Sequence, residues 1–294
     1  MKALRTPDDR FANLADYPFD PHYVEVDGLR IHHLDEGPSE GPVVVLLHGE
    51  PSWSYLYRHF VPPLAAAGHR VIALDLVGFG RSDKPVDEAD YTYATHTHWL
   101  QTALFDRLGL TDITLFCQDW GGLLGLRLVG LHGERFAAVC AANTFLPAGA
   151  QMPPAFRGWR DFVKKTPDLE VGRLLNSASQ RSLTADEMAA YDAPFPDATY
   201  KAGVRMFPSL VPDGPDAAGV AENRKAWGGL KAFEKPFLTL FSDGDPITGG
   251  AEKALIARIP GAQGQPHGIV PGGHFLQEDS PEALVKGIRH LTGR

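Results

Sequence analysis

One acidic residue in this chain stands where a nucleophile would. In Leu115-Phe116-Cys117-Gln118-Asp119-Trp120-Gly121-Gly122 an apolar strand runs straight into a helix through small residues. A sharp strand-to-helix turn exposes the side chain at its apex only when the residues two before and two after it are small, and Cys117 and Gly121 fill those places. The apex is then Asp119. Read alone, the same aspartate would serve equally as the N-cap of an ordinary helix. As a nucleophile it has one advantage over serine. A carboxylate is already ionised at neutral pH, so it attacks an alkyl carbon without a base first removing a proton.

Four other segments bear on that choice. Leu46-Leu47-His48-Gly49-Glu50-Pro51 follows an apolar run and can aim a backbone N–H at the apex residue. Asp75-Leu76-Val77-Gly78-Phe79-Gly80 follows the next run, but position 83 is Asp, so the third glycine of a dinucleotide fingerprint is missing. Near the C-terminus, Phe241-Ser242-Asp243-Gly244-Asp245 ends a strand-like run on an acid, and Pro271-Gly272-Gly273-His274-Phe275 sets a histidine in a Gly-rich loop. Asp119, Asp245 and His274 thus follow the chain order nucleophile, acid, base known from α/β-hydrolases. His274 would activate water, with Asp245 holding its tautomer. The pairs His32-His33 and His96-Thr97-His98 have no matching ligands elsewhere and no HExxH run exists, so no metal is expected. His48 is expected to order its loop.

These residues need a parallel sheet to bring them together, and the sequence supplies one. Unbroken apolar runs at Val43–Leu47, Val71–Leu74, Ile113–Phe116, Ala137–Ala142 and Phe237–Phe241 read as strands buried on both faces. Segments of helical spacing, Trp53–Ala67, Tyr93–Leu108 and Gly122–Leu131, lie between them. Tyr23 to His32 alternates around Asp27-Gly28 and predicts an antiparallel hairpin. Residues 147–226 carry no strand-like run, only helical pattern broken by Pro-rich turns. The nucleophile precedes this block and the acid and base follow it. The expected fold class is therefore α/β, an α/β-hydrolase core over residues 1–146 and 227–294 with an inserted helical cap over 147–226.

The segments His48-Gly49-Glu50-Pro51-Ser52-Trp53-Ser54-Tyr55, Gln118-Asp119-Trp120-Gly121-Gly122, Asp245-Pro246-Ile247-Thr248 and Gly273-His274-Phe275 closely resemble the haloalkane dehalogenases. The likeness extends into the inserted block, through Ala193-Pro194-Phe195-Pro196-Asp197 and Ala202-Gly203-Val204-Arg205. It is strongest to the branch whose second halide-binding tryptophan lies early in the cap, which here matches Trp159 in Phe156-Arg157-Gly158-Trp159. The resemblance implies displacement of halide from a small halogenated alkane by Asp119, then hydrolysis of the resulting ester by water, without a cofactor. Trp120 and Trp159 would bind the halide, since an indole N–H donates without accepting and sits in apolar surroundings. The backbone N–H groups of Glu50 and Trp120 would receive the oxyanion, while the role of the Glu50 side chain stays open. Phe156 and Phe207 would line the substrate pocket. An epoxide hydrolase shares the triad and would need tyrosine hydroxyls from the cap, for which Tyr191 and Tyr200 are present.

Composition agrees with a packed globular enzyme. The chain has 294 residues, 44% hydrophobic and 22% charged, and its 31 glycines and 24 prolines call for many shaped loops. A net charge of −8 without a basic run argues against a nucleic-acid partner. The two cysteines, Cys117 and Cys140, lie in apolar runs and predict no disulfide. No apolar stretch reaches the length of a membrane span and the first residues lack a signal-like apolar core, so a cytoplasmic location is expected; a monomer is the expected assembly, though no sequence feature sets it.

Overall fold

A computed structural model describes residues 1–294. Its strands are β1 (Ala3–Leu4), β2 (His22–Val26), β3 (Leu29–Glu36), β4 (Val43–Leu47), β5 (Arg70–Leu74), β6 (Lys84–Pro85), β7 (Ile113–Gln118), β8 (Phe136–Ala142), β9 (Phe237–Ser242) and β10 (Gly268–Val270). Eight of them form one sheet in the order β10-β9-β8-β7-β4-β5-β3-β2, while β1 pairs with β6 apart from it. From β5 to β10 the neighbours run parallel, and β3 and β2 add an antiparallel edge. The five apolar runs and the hairpin all take part. The central strands β7 and β9 are buried along their whole length, which is why they read as unbroken hydrophobic runs.

The core helices are α1 (Val61–Ala66), α2 (Tyr93–Gln101) and α3 (Trp120–Leu131). Between β8 and β9 come α4 (Pro154–Lys165), α5 (Val171–Ala178), α6 (Ala185–Asp192), α7 (Ala202–Leu210) and α8 (Val220–Leu230). The chain ends with α9 (Glu252–Arg258), α10 (Leu276–Asp279) and α11 (Pro281–Thr292). Two expected helices are interrupted. Trp53–Ala67 divides into a 3-10 turn at Ser54–Tyr57 and α1, because Pro62 and Pro63 lack the N–H that a continuing helix needs and instead open a new first turn. Tyr93–Leu108 begins as α2, capped by Thr92, and loosens into a π-helical turn at Thr102–Arg107.

The block without strands is helical throughout, but α8 runs through residue 226 and packs along α3. The two helices touch through glycine. A Cβ on Gly130 would strike the Ala226 carbonyl, and one on Gly229 the Gly130 carbonyl. By packing, α8 belongs with the core rather than with α4 to α7. Sequence spacing gave no sign of this, since a helix looks the same on either side of such a boundary.

Candidate active site

The C-terminal ends of the parallel strands point to one place, the position where open α/β sheets bind ligands. β7 delivers Asp119 there with φ 50° and ψ −124°, a backbone region that L-residues seldom occupy and that marks functional turns. The turn is tight enough to require its glycines. A Cβ on Gly121 would meet the Leu47 carbonyl, and one on Gly122 the Thr144 side chain. The Asp119 backbone is tied down by its N–H to the Asn143 carbonyl at 3.1 Å and by the Thr144 hydroxyl to its own carbonyl at 2.8 Å. Its side chain accepts no capping hydrogen bond from α3, so the helix-cap alternative fails. Instead it crosses to the loop after β4, where the Glu50 N–H donates to Oδ1 at 2.8 Å.

His274 faces the other oxygen. Its Nε2 lies 3.5 Å from Asp119 Oδ2, and its Nδ1 lies 3.1 Å from Asp245 Oδ2, the latter contact off the N–H axis. Such contacts tighten in reacting complexes. Asp245 is held at the end of β9 by the Ile247 N–H at 2.9 Å, the Thr248 N–H at 3.2 Å and the Thr248 hydroxyl. Burial alone would push its carboxyl up, but the neighbouring imidazole and these donors outweigh it and hold the pKa at about 2. For His274, burial disfavours the charged form, and Asp245 and Asp119 together overcome it, raising the imidazole to about 10.

A cavity of about 790 Å³ opens above these groups, lined by Asp119, Trp120, Glu50, His274, Phe156 and Trp159 among others. Trp120 is buried at the start of α3, its ring against Tyr93 and Phe207 at centroid distances of 5.2 and 4.7 Å. Trp159 comes from α4, half-buried, with its ring 5.8 Å from that of Phe162. Phe207 departs from expectation. It is fully buried between Trp120, Phe79 and His96, and α7 turns Pro208 rather than Phe207 to the cavity. Phe207 therefore supports the back of Trp120 and does not line the pocket. His48 orders its loop as expected, with Nδ1 on the Gly49 carbonyl at 2.9 Å and Nε2 accepting the Leu76 N–H at 2.9 Å.

The Glu50 carboxyl is almost fully buried, and its Oε1 has no hydrogen-bond partner. Burial, and then the charge of Asp119, push it well above the usual carboxylate range; His274 and the Trp159 N–H only partly oppose them. The two tyrosines that ring opening of an epoxide would need are elsewhere. Tyr191 is fully buried with its hydroxyl on Glu278, and neither Tyr191 nor Tyr200 lines the cavity.

Several residues of the site carry no motif. Asn143 follows β8 with φ 35° and donates to the Ser242 hydroxyl at 2.8 Å and to the Gly273 and His274 carbonyls at 3.0 Å. From the end of α5, the Ala178 carbonyl accepts the His274 N–H at 2.7 Å. Behind α10, Glu278 accepts from both terminal nitrogens of Arg58 at 2.6 and 2.8 Å, from Arg181 and from Tyr191, with Glu187 closing the cluster on Arg58. Only the position of Asn143, at the C-terminal end of a parallel strand beside the elbow, was a sequence signal.

The alpha/beta hydrolase fold family matches residues 42–281. A haloalkane dehalogenase of Psychrobacter cryohalolentis is 55% identical over 97% of this chain and 96% of its own length, and one of Mycobacterium marinum is 52% identical over 98% and 99%. Among solved structures, the haloalkane dehalogenase DpaA of Paraglaciecola agarilytica NO2, described as tetrameric, superposes with a TM-score of 0.90 at 36% identity, covering 100% of this chain and 98% of that one. Sharing the fold throughout and more than half its residues with such relatives from end to end, this chain belongs to the haloalkane dehalogenase family.

Proposed function

We propose that the protein hydrolyses the carbon–halogen bond of small halogenated alkanes to an alcohol, a halide and a proton, with Asp119 as the nucleophile. Asp119 Oδ1 is engaged by the Glu50 N–H, so Oδ2 is the oxygen free to attack. It forms a bond to the sp³ carbon as the halide leaves with the bonding electrons towards the indole N–H groups of Trp120 and Trp159. Oδ1 then becomes the carbonyl oxygen of the ester. A water deprotonated by His274 Nε2 adds to the ester carbon, and the negative charge arising on Oδ1 meets the Glu50 N–H and, at the head of α3, the Trp120 N–H. On collapse the hydroxyl proton of the adduct passes to the leaving alkoxide, which departs as the alcohol and restores the Asp119 carboxylate, and the imidazolium, steadied by Asp245, returns its proton to solvent.

The observation that carries this reading is an aspartate on the elbow within 3.5 Å of a histidine, inside a cavity shared with two tryptophans. Phe156 is proposed to line the substrate space. We place the cap at α4 to α7, within residues 147–226, and the catalytic core on either side of it. A monomer is the proposed assembly, and the two free buried cysteines fit a cytoplasmic setting. No helix is long and apolar enough to cross a membrane.

Halide release from a panel of chloro- and bromoalkanes, run beside an epoxide, tests the activity. Haloalkanes should be turned over and the epoxide should not; diol without halide release would reverse the assignment. With His274→Gln and 1,2-dibromoethane, intact mass should show one alkyl adduct on the Asp119 peptide. An unmodified protein would remove Asp119 from the mechanism. Bromide should quench tryptophan fluorescence saturably and bind more weakly in Trp159→Phe, since a hydrogen bond to an anion contributes about 1.5–3 kcal/mol.

A further inference from the structure

We infer that the Gln118 side chain is a positioning residue that opposes protonation of His274 at Nε2. Gln118 closes β7, directly before the nucleophile, and is fully buried. Its amide nitrogen lies 3.2 Å from His274 Nε2 and 3.2 Å from the His274 carbonyl oxygen. The two ends of an amide look alike, but here the neighbours decide which end is which. A carbonyl oxygen only accepts, so the end of Gln118 that touches it is the NH₂. The far end, Oε1, then accepts from the side-chain amide of Gln277 at 3.4 Å.

In the neutral ring, the nitrogen that faces this NH₂ offers its lone pair. On the other side of the ring, Nδ1 faces a carboxylate that only accepts and must therefore carry the proton. Gln118 and Asp245 thus select the same neutral tautomer, the one able to take a proton from water. The charged and titratable groups facing the ring all push towards the imidazolium or leave it unopposed: Asp119 from the elbow, Asp245 from the loop after β9 and the Glu50 carboxyl from the loop after β4. From the cap, the Ala178 carbonyl accepts the backbone N–H of His274. Gln118 pulls the other way, since its N–H stabilises the neutral ring and would confront the N–H of the cation. At 3.2 Å the bond is long, and a water docked against the ester replaces it at little cost.

The inference rests on His274 being the base of the proposed hydrolysis. It is tested by single-turnover rapid quench with 1,2-dibromoethane, following formation and decay of the alkyl-enzyme across pH. In Gln118→Met, formation should keep its wild-type pH profile. The acid limb of decay should move up by about half to one pH unit, the shift that one lost hydrogen bond represents, with the rate recovered at higher pH. Gln118→Glu, nearly isosteric and accepting where the amide donates, should move it further and carries the test if the Met variant does not fold. An unmoved limb, or a loss of decay rate equal at every pH, would overturn the inference. His274→Gln run in parallel separates the two failures. If it accumulates adduct while the Gln118 variants keep the wild-type limb, the role of Gln118 fails alone; if it accumulates none, the base assignment fails and takes this inference with it.

Discussion

His274 sits between two carboxylates, and one of them changes charge during the proposed reaction. Against the opposing effect of burial, Asp245 and Asp119 raise the imidazole to about 10 in the free protein. Esterification of Asp119 removes one of these charges, so the base becomes easier to deprotonate just when a neutral imidazole is needed. Asp119→Asn mimics that change, and the imidazole nitrogens, followed by NMR, should titrate at lower pH in the variant; an unchanged midpoint would show that Asp119 is not electrostatically coupled to the ring. The sign for stability follows. The folded value lies above the unfolded imidazole value of about 6.5, so this coupling stabilises the fold fully below that pH and is lost as pH rises through about 10. Urea midpoints should fall across that window more in the native protein than in Asp119→Asn. At this scale the meeting of Asp119, Asp245 and His274 was legible, because small residues around Asp119 and the order of the three side chains leave marks in sequence. Gln118 was not, since its contacts come from the His274 loop and α10, remote along the chain, and Asn143 showed only in its place at a strand end.

Among elements, the least visible from sequence was the bridge between cap and core. Arg58 follows a 3-10 turn of the core, Glu278 lies in α10, and Arg181, Glu187 and Tyr191 come from α6 and the segment before it. Arg58 and Glu278 are both fully removed from solvent at the side chain. Breaking such a pair leaves a buried charge without its partner, and Glu278→Ala should lower stability by about 3–5 kcal/mol in calorimetry. A loss no larger than that of an exposed pair, under about 1 kcal/mol, would show the cluster to be loosely held. Nothing in the spacing of single charged residues announces a network of this kind. The strands were the opposite case, because burial on both faces writes itself as an unbroken apolar run. Phe207 shows where such reasoning stops: a phenylalanine on α7 reads the same whether it faces the cavity or the back of Trp120.

For the whole molecule, the sequence placed a strand-free helical block between Asp119 and the pair Asp245 and His274, whereas the packing of α8 along α3 is set by glycine contacts. A monomer of 32.0 kDa is the proposed assembly, and sedimentation equilibrium should return that mass. A fourfold mass would place this chain with the assembly described for the Paraglaciecola relative. The bond from the His274 N–H to the Ala178 carbonyl ties the cap to the base. The end of α5 and the loop carrying the base are fastened together, tightly enough that a Cβ on Gly273 would strike the Ala178 carbonyl. The arrangement is an interlock: a cap swung wide at this end would drag the histidine off Asp245 and disarm it. Any displacement of α5 at this end is therefore shared with the loop that carries the base.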